Sequence, residues 1–202
     1  MRSKNLIVFV CFVAALSLLL GCATKIERVN TGTIVDFSGK FNDYDSLSVS
    51  KEMVSDCLSQ SWIESFHKEN GRNPVVIVGH VNNRSHEHIN SQVFTKYLER
   101  EVMNSGKIVF VASSDEREQI RDERTDQAKG FTDPTTIAAI GKERGADYML
   151  IGSINSVKDE TKGKYVILYQ VNLELIDLST NVKAWIGSKE IKKVVKNPKY
   201  SL

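Results

Sequence analysis

Paired cysteine is the first thing this chain lacks. Its 202 residues hold three cysteines, and two of them, Cys11 and Cys22, fall in or at the end of an N-terminal leader. Cys57 is left without a partner, which excludes an intramolecular disulfide and leaves an apolar core to hold the domain. A charge of one sign is equally scarce, with 27 Lys and Arg against 25 Asp and Glu. Once Arg2 and Lys4 leave with the leader the basic count also falls to 25, and the mature chain is formally neutral. That removes the general electrostatic case for nucleic acid, whose binding rests on many Lys and Arg contacts to phosphate. There is no Walker loop, no G-x-G-x-x-G and no G-x-S-x-G, so the common phosphate cradles and the nucleophile elbow are missing. No stretch is Pro-rich or of low complexity between Ala23 and Gly32, and no internal repeat is evident.

What the chain does have begins at its start. Arg2 and Lys4 precede fifteen apolar or small residues from Leu6 to Leu20, and Leu19-Leu20-Gly21-Cys22 closes the run. Fifteen residues are too few to cross about 30 Å of hydrocarbon comfortably as a helix. A basic start, a short apolar run and a small residue before a thiol form a lipoprotein signal. Signal peptidase II would cleave before Cys22, whose sulfur would carry diacylglycerol. The expected organisation is a signal peptide over 1–21, a lipidated Cys22 and short tether over 22–32, one domain over 33–196 and a tail over 197–202.

Within the domain, Thr33 to Phe37 is a β-branched run that predicts a first strand. Asp43 to Ser46 offers N-caps, and Leu47 to His67 reads as one helix, with Val54, Leu58, Trp62 and Phe66 as its buried stripe and Gly71 as its stop. Pro74 to Val81 is a continuous apolar run, expected as a strand covered on both faces, with a loop at Asn82 to Ser85. A second helix is expected from His88 to Ser105, with Phe94, Leu98 and Val102 inward and Gly106 at its left-handed cap. Lys107 to Val111 reads as a short strand. Ser113, Ser114, Asp115 and Glu116 open a charged helix that runs through Arg124 and is either a solvated face or a docking surface. Asp133-Pro134 predicts a further helix ending near Gly145, with Ile137, Ala138 and Ile140 inside. Ala146 to Ser156, Tyr165 to Leu178 and Val182 to Val194 are β-rich and predict two antiparallel hairpin connections. The sum is a single-domain α/β sandwich with a mixed sheet.

Catalytic chemistry finds little support. Ser-x-x-Lys, a nucleophile and base one helical turn apart, occurs at Ser48/Lys51 and Ser65/Lys68, but neither Ser-Asp-Asn nor Lys-Thr-Gly accompanies it. His86 and His88, with His80 upstream, supply too few ligands to complete a tetrahedral metal site. The expectation there is a polar helix entry in which Ser85 or His86 caps and Glu87 meets the dipole. Asp36, Asp43 and Asp45 cluster near a strand end without the glycine and distal Glu of an EF-hand. Cys57, between Val54 and Leu58 on its helix, reads as a buried small hydrophobe. No catalytic residue, metal ligand or cofactor is assigned.

Three segments carry a family resemblance. Ile34-Val35-Asp36-Phe37-Ser38-Gly39 with Phe41-Asn42-Asp43-Tyr44-Asp45-Ser46, then Val81 to Asn90, then Gly145-Ala146-Asp147-Tyr148-Met149-Leu150-Ile151-Gly152 resemble the LpoB-type penicillin-binding protein activators. The resemblance implies a fold similar to the N-terminal domain of TolB and an outer-membrane lipoprotein facing the periplasm. It further implies a partner, a bifunctional penicillin-binding protein, whose peptidoglycan polymerisation and crosslinking the domain stimulates without being an enzyme. The best-known members have a long Pro-rich linker. Here about ten residues follow Cys22, a reach of at most roughly 35 Å. Ala23 in place of an Asp favours the outer membrane over retention in the inner one.

Overall fold

The computed structural model describes residues 26–196. The described residues before Ile34 belong to a separate unit, and the domain starts at Ile34. The domain opens with a strap and helix α1, Asp43–Ser59. Asn42 caps that helix: its side chain accepts from the Asp45 amide at 3.0 Å while the Asp45 carboxylate accepts from the Asn42 amide at 2.9 Å. The reciprocal pair satisfies two amides that the first turn leaves without helical partners. Ser50 and the apolar residues Val49, Met53, Val54, Cys57 and Leu58 form the buried face.

The single helix expected from Leu47 to His67 is two. The chain turns extended at Gln60, and α2 covers Trp62–Asn70. Trp62 donates its indole N–H to the Cys57 carbonyl at 2.8 Å, so the aromatic that continues the stripe also satisfies the end of the first helix. Val54, Leu58, Trp62 and Phe66 are all buried, as their spacing required. Gly71 ends α2 with φ 63°, in the left-handed region open to glycine.

Strand β1, Val75–Arg84, is followed by α3, Ser91–Asn104, a two-residue β2, Val109–Phe110, and α4, Ser114–Gln127. Long strands β3, Tyr148–Thr161, β4, Lys164–Asp177, and β5, Lys183–Lys196, complete the chain. The sheet order is β2-β1-β3-β4-β5. β1 is parallel to β2 and β3, whereas β3, β4 and β5 are successive antiparallel hairpins. One extra residue bulges β1 between Val78 and Val81.

α1 lies against β5, α3 against β1, and the two helices pack on each other. Between them and the sheet sits one core in which Phe94, Leu98, Ile154, Tyr169, Val171 and Leu173 are fully buried. Trp62 and Phe66 meet the Tyr148 ring edge to face at 5.0 and 5.7 Å.

Four further expectations need correction. Thr33 to Phe37 contains no strand. Ile34 and Phe37 are 64% and 96% exposed, and β-branched residues form strands only where a neighbour and a buried face exist. Asn82 to Arg84 is strand and not loop, because those residues pair with Ser153, Ile154 and Asn155 of β3. Helix α3 starts at Ser91, not His88, since the Asn90 side chain caps it by accepting from the Gln92 amide at 3.1 Å. No helix forms between Pro134 and Gly145. The Asp133 carboxylate closes a tight turn with the amide and hydroxyl of Thr135 at 2.9 and 2.8 Å, Gly141 sits at φ 83°, and Ile140 is 66% exposed. A short helix with no face to bury does not persist in water.

Candidate functional site

Several of the groups with chemical potential in the sequence are engaged in the fold. Ser48 donates to Glu52 at 3.2 Å, and Ser65 is exposed. Cys57 is buried, and burial pushes its thiol up to about 12, far from the thiolate that nucleophilic chemistry needs. Thiol reagents are therefore expected to leave Cys57 untouched in the native chain and to modify it only after denaturation, a difference that mass spectrometry of alkylated protein reads directly. His86 faces β3, with its Nδ1 2.7 Å from the Ser156 hydroxyl, and does not cap a helix. Among the described residues no group of three or more His, Cys, Asp or Glu side chains is placed to hold a metal.

The acidic cluster does converge, but on a lysine. Lys193 of β5 meets Asp45 at 2.6 Å and Asp36 at 2.9 Å and donates to the Lys40 carbonyl at 2.8 Å. Asp43 stands outside this group, exposed on the first turn of α1. Tyr165 and Tyr169 donate to the Ser38 and Gly39 carbonyls at 2.5 and 3.3 Å, so the strap is fixed across β4 and β5.

The three segments of the family resemblance have structural work in common. Phe41 of the first packs edge to face on Tyr169 at 5.5 Å, and its amide donates to Glu87 of the second at 3.4 Å. Burial and the neighbouring Glu87 carboxylate push the Tyr169 phenol up. Asn83 holds the second segment closed by donating to the Glu87 carbonyl at 2.8 Å and accepting from the Ser85 amide and hydroxyl at 3.0 and 2.7 Å. In the third, Asp147 receives both arms of the Arg72 fork at 2.7 and 2.8 Å and the Val75 amide at 2.8 Å. These residues tie the start of β1 to the start of β3.

What the fold leaves over is surface. The sheet face turned away from the helical core carries two cross-strand rows, Asn82, Ser153, Asn172 and Ser188, then Arg84, Asn155, Gln170 and Glu190. All eight are half-buried or exposed. Helix α4 buries no residue. It is held at its start by Glu116, which caps with Ser113 and pairs with Lys96 at 2.6 Å. The Lys96 ammonium, with the Ser113 amide, takes the Glu116 carboxyl down to about 2. Glu116→Ala is expected to speed hydrogen exchange along α4 while costing the whole domain no more than about 1 kcal/mol, the worth of a cap. Between α3, the start of α4 and the free edge of β1 lies a cavity of about 1110 Å³. Sequence reasoning missed this groove, because only the shortness of β2 creates it.

The fold and its surfaces define a single α/β domain with a mixed sheet, packed helices and broad polar faces. Its sequence says which kind: residues 45–191, from α1 to β5, match the family of the peptidoglycan-synthase activator LpoB. The match takes in most of the chain, which belongs to that family. No curated protein matches the chain. Among solved structures it is similar to the LpoB C-terminal domain from Escherichia coli, at 19% identity over 73% of this chain and 98% of that one, with a TM-score of 0.47. The Salmonella enterica LpoB C-terminal domain matches at the same identity and coverage with a TM-score of 0.43. Lipoprotein GNA1162 from Neisseria meningitidis matches at 15% identity over 64% of this chain and 88% of that one, with a TM-score of 0.39.

Proposed function

We propose that this chain is a periplasmic lipoprotein, anchored in the outer membrane through diacylglycerol on Cys22, that binds a bifunctional penicillin-binding protein and activates its peptidoglycan synthesis. The observation that carries the proposal is the family match over residues 45–191, from the first turn of α1 into β5. The mode of action is regulatory: binding free energy that differs between an idle and an active synthase shifts its population toward the active form. Cys22 and the tail over 197–202 lie outside the described residues, and the division into signal peptide over 1–21, tether over 22–32 and domain over 33–196 belongs to the same proposal. Purified full-length lipoprotein should raise glycan polymerisation by a cognate bifunctional synthase. Failure to stimulate any of the organism's bifunctional synthases would sink the activator role. Cys22→Ala should leave the chain uncleaved and without the mass of a diacylglycerol, and a variant that matures to the same mass pattern as the wild type would remove the lipid anchor from the proposal.

The tether favours a second reading. About ten residues between Cys22 and the domain reach at most roughly 35 Å, which keeps the domain close to its own membrane. A structural component of an outer-membrane assembly needs no longer reach. In-cell crosslinking decides between the two: recovery of an outer-membrane partner supports the assembly component, and recovery of a synthase alone counts against it.

A further inference from the structure

β2 contributes only two residues to the sheet, pairing Val109 with Val75 and Phe110 with Val76. From Ile77 to Arg84 the edge of β1 opposite β3 has no strand beside it among the described residues. That is eight residues of strand, about 26 Å at ~3.3 Å each. An unpaired edge is a template for another strand, and native folds usually cover or shorten it. Here a groove runs along it, walled by α3 and by the first turn of α4.

The charges along the groove choose the occupant. Lys96 is shared between Glu99 and Glu116, Arg100 pairs with Glu101, and Glu174 pairs with Lys183. Asp115 accepts from the Ser114 hydroxyl at 3.1 Å. Among the described residues two guanidinium groups of the groove, those of Arg84 and Arg117, have no ion pair, against one carboxylate, that of Asp115, so the unpaired charge is net positive. Glu143 lies near enough for its charge to be felt by Arg117, yet it is held by Arg121 and Arg124 at 2.8 and 3.4 Å. The Arg117 Nε is buried and makes no hydrogen bond, an uncommon state for a native polar group. It lies in the wall of the groove. A second copy of the same edge, paired antiparallel over residues 77–84, would set Arg84 opposite Ile77 and bring it no carboxylate.

We propose that the free edge of β1 is a strand-docking site that takes an extended acidic segment of a partner protein between α3 and α4, with Arg117 and Arg84 receiving its carboxylates. Main-chain bonds along β1 supply affinity, and alternate side chains facing the two arginines supply selectivity. The inference rests on the activator reading only for the partner's identity.

The test uses the full-length lipidated chain in detergent micelles, titrated with fluorescein-labelled alternating octapeptides of Thr-Glu and of Thr-Lys. The Thr-Glu peptide should bind saturably and slow amide exchange over residues 77–84 by about ten-fold or more. Arg117→Glu should weaken it by roughly ten-fold or more, and Arg117→Gln by less. Because no residue of α4 belongs to the core and Arg117 is only half-buried, both variants should keep the wild-type circular dichroism. Absence of saturable binding, equal binding of both peptides, or binding that leaves the β1 amides and the Arg117 variants unaffected overturns the proposal. Synthase stimulation without peptide binding would remove the strand site and keep the activator role; peptide binding without stimulation would do the reverse.

Discussion

Lys193→Met is expected to lower the unfolding free energy by about 3 kcal/mol, because it strands a buried carboxylate. The side chains of Lys193 and Asp45 are only 11% and 8% exposed, and they meet at 2.6 Å. Methionine fills nearly the same volume, so the loss is electrostatic and not a cavity. Asp45 keeps the Asn42 amide at 2.9 Å and its place in the first turn of α1, where a negative charge is favoured, which sets the cost at the lower end of the range for breaking buried pairs. Asp36→Asn should cost less, since its side chain is 35% exposed and exposed pairs contribute little. At this chain length a loss of about 3 kcal/mol lowers Tm by roughly 6–12 °C. Urea unfolding giving a difference below about 1 kcal/mol would mean that water already reaches Asp45 and that the pair behaves as a surface contact.

The same cluster fixes a pH dependence. The Lys193 ammonium holds the Asp36 carboxyl below its ordinary value, burial opposing it only in part. A depressed carboxyl contributes its stability in full above the unfolded value of about 3.9 and loses it as pH falls through the folded one. For Lys193, burial alone would lower the pKa, but the hydrogen bonds to Asp36 and Asp45 outweigh it and the net shift is upward. A raised ammonium contributes fully below about 10.4 and loses its share as pH rises through the folded value. The stability gap between wild type and Lys193→Met should thus be flat through neutral pH and narrow in acid and in strong base.

Where burial repeats regularly, this fold was legible in the sequence. Phe94, Leu98 and Val102 point inward on α3, and Val54, Leu58, Trp62 and Phe66 do so across two helices, because spacing along a helix fixes direction. The three C-terminal strands were equally plain, since Ile167, Tyr169, Val171, Leu173 and Leu175 alternate with half-exposed neighbours. The errors arose where long-range partners decide. Nothing local shows that Asn82, Asn83 and Arg84 pair with β3, or that Asp133 turns on Thr135 in place of capping a helix. The acidic residues Asp36 and Asp45 were visible as a cluster, but their cation lies about 150 positions away in β5. The charged helix opened at Ser113 with Glu116 as its capping box, as its residues indicate. The groove beside it depends on a strand stopping early, which leaves no periodic trace.

Gly152→Val is expected to destabilise the domain by about 3 kcal/mol, at the upper end for overpacking. Gly152 sits inside β3 between Val81 of β1 and Leu173 of β4. A Cβ there would stand 2.4 Å from the Asn172 carbonyl oxygen and 2.5 Å from Leu173 Cδ2. Neither can yield: the first is backbone in a paired strand, and Leu173 is fully buried. The strand preference of valine, within a scale spanning ~1 kcal/mol, is too small to offset the clash. Gly79 is the control, because its Cβ would meet only the side-chain ends Ile151 Cγ2 at 3.0 Å and Met149 Sδ at 3.2 Å. Gly79→Ala should therefore cost less than Gly152→Ala when both are unfolded in urea. Equal losses would mean that glycine entropy, common to both sites, outweighs the contact at β4. A larger loss at Gly152 makes the last residue of the third family segment a requirement of sheet packing, and moves the search for partner contacts to the edge of β1 and the first turn of α4.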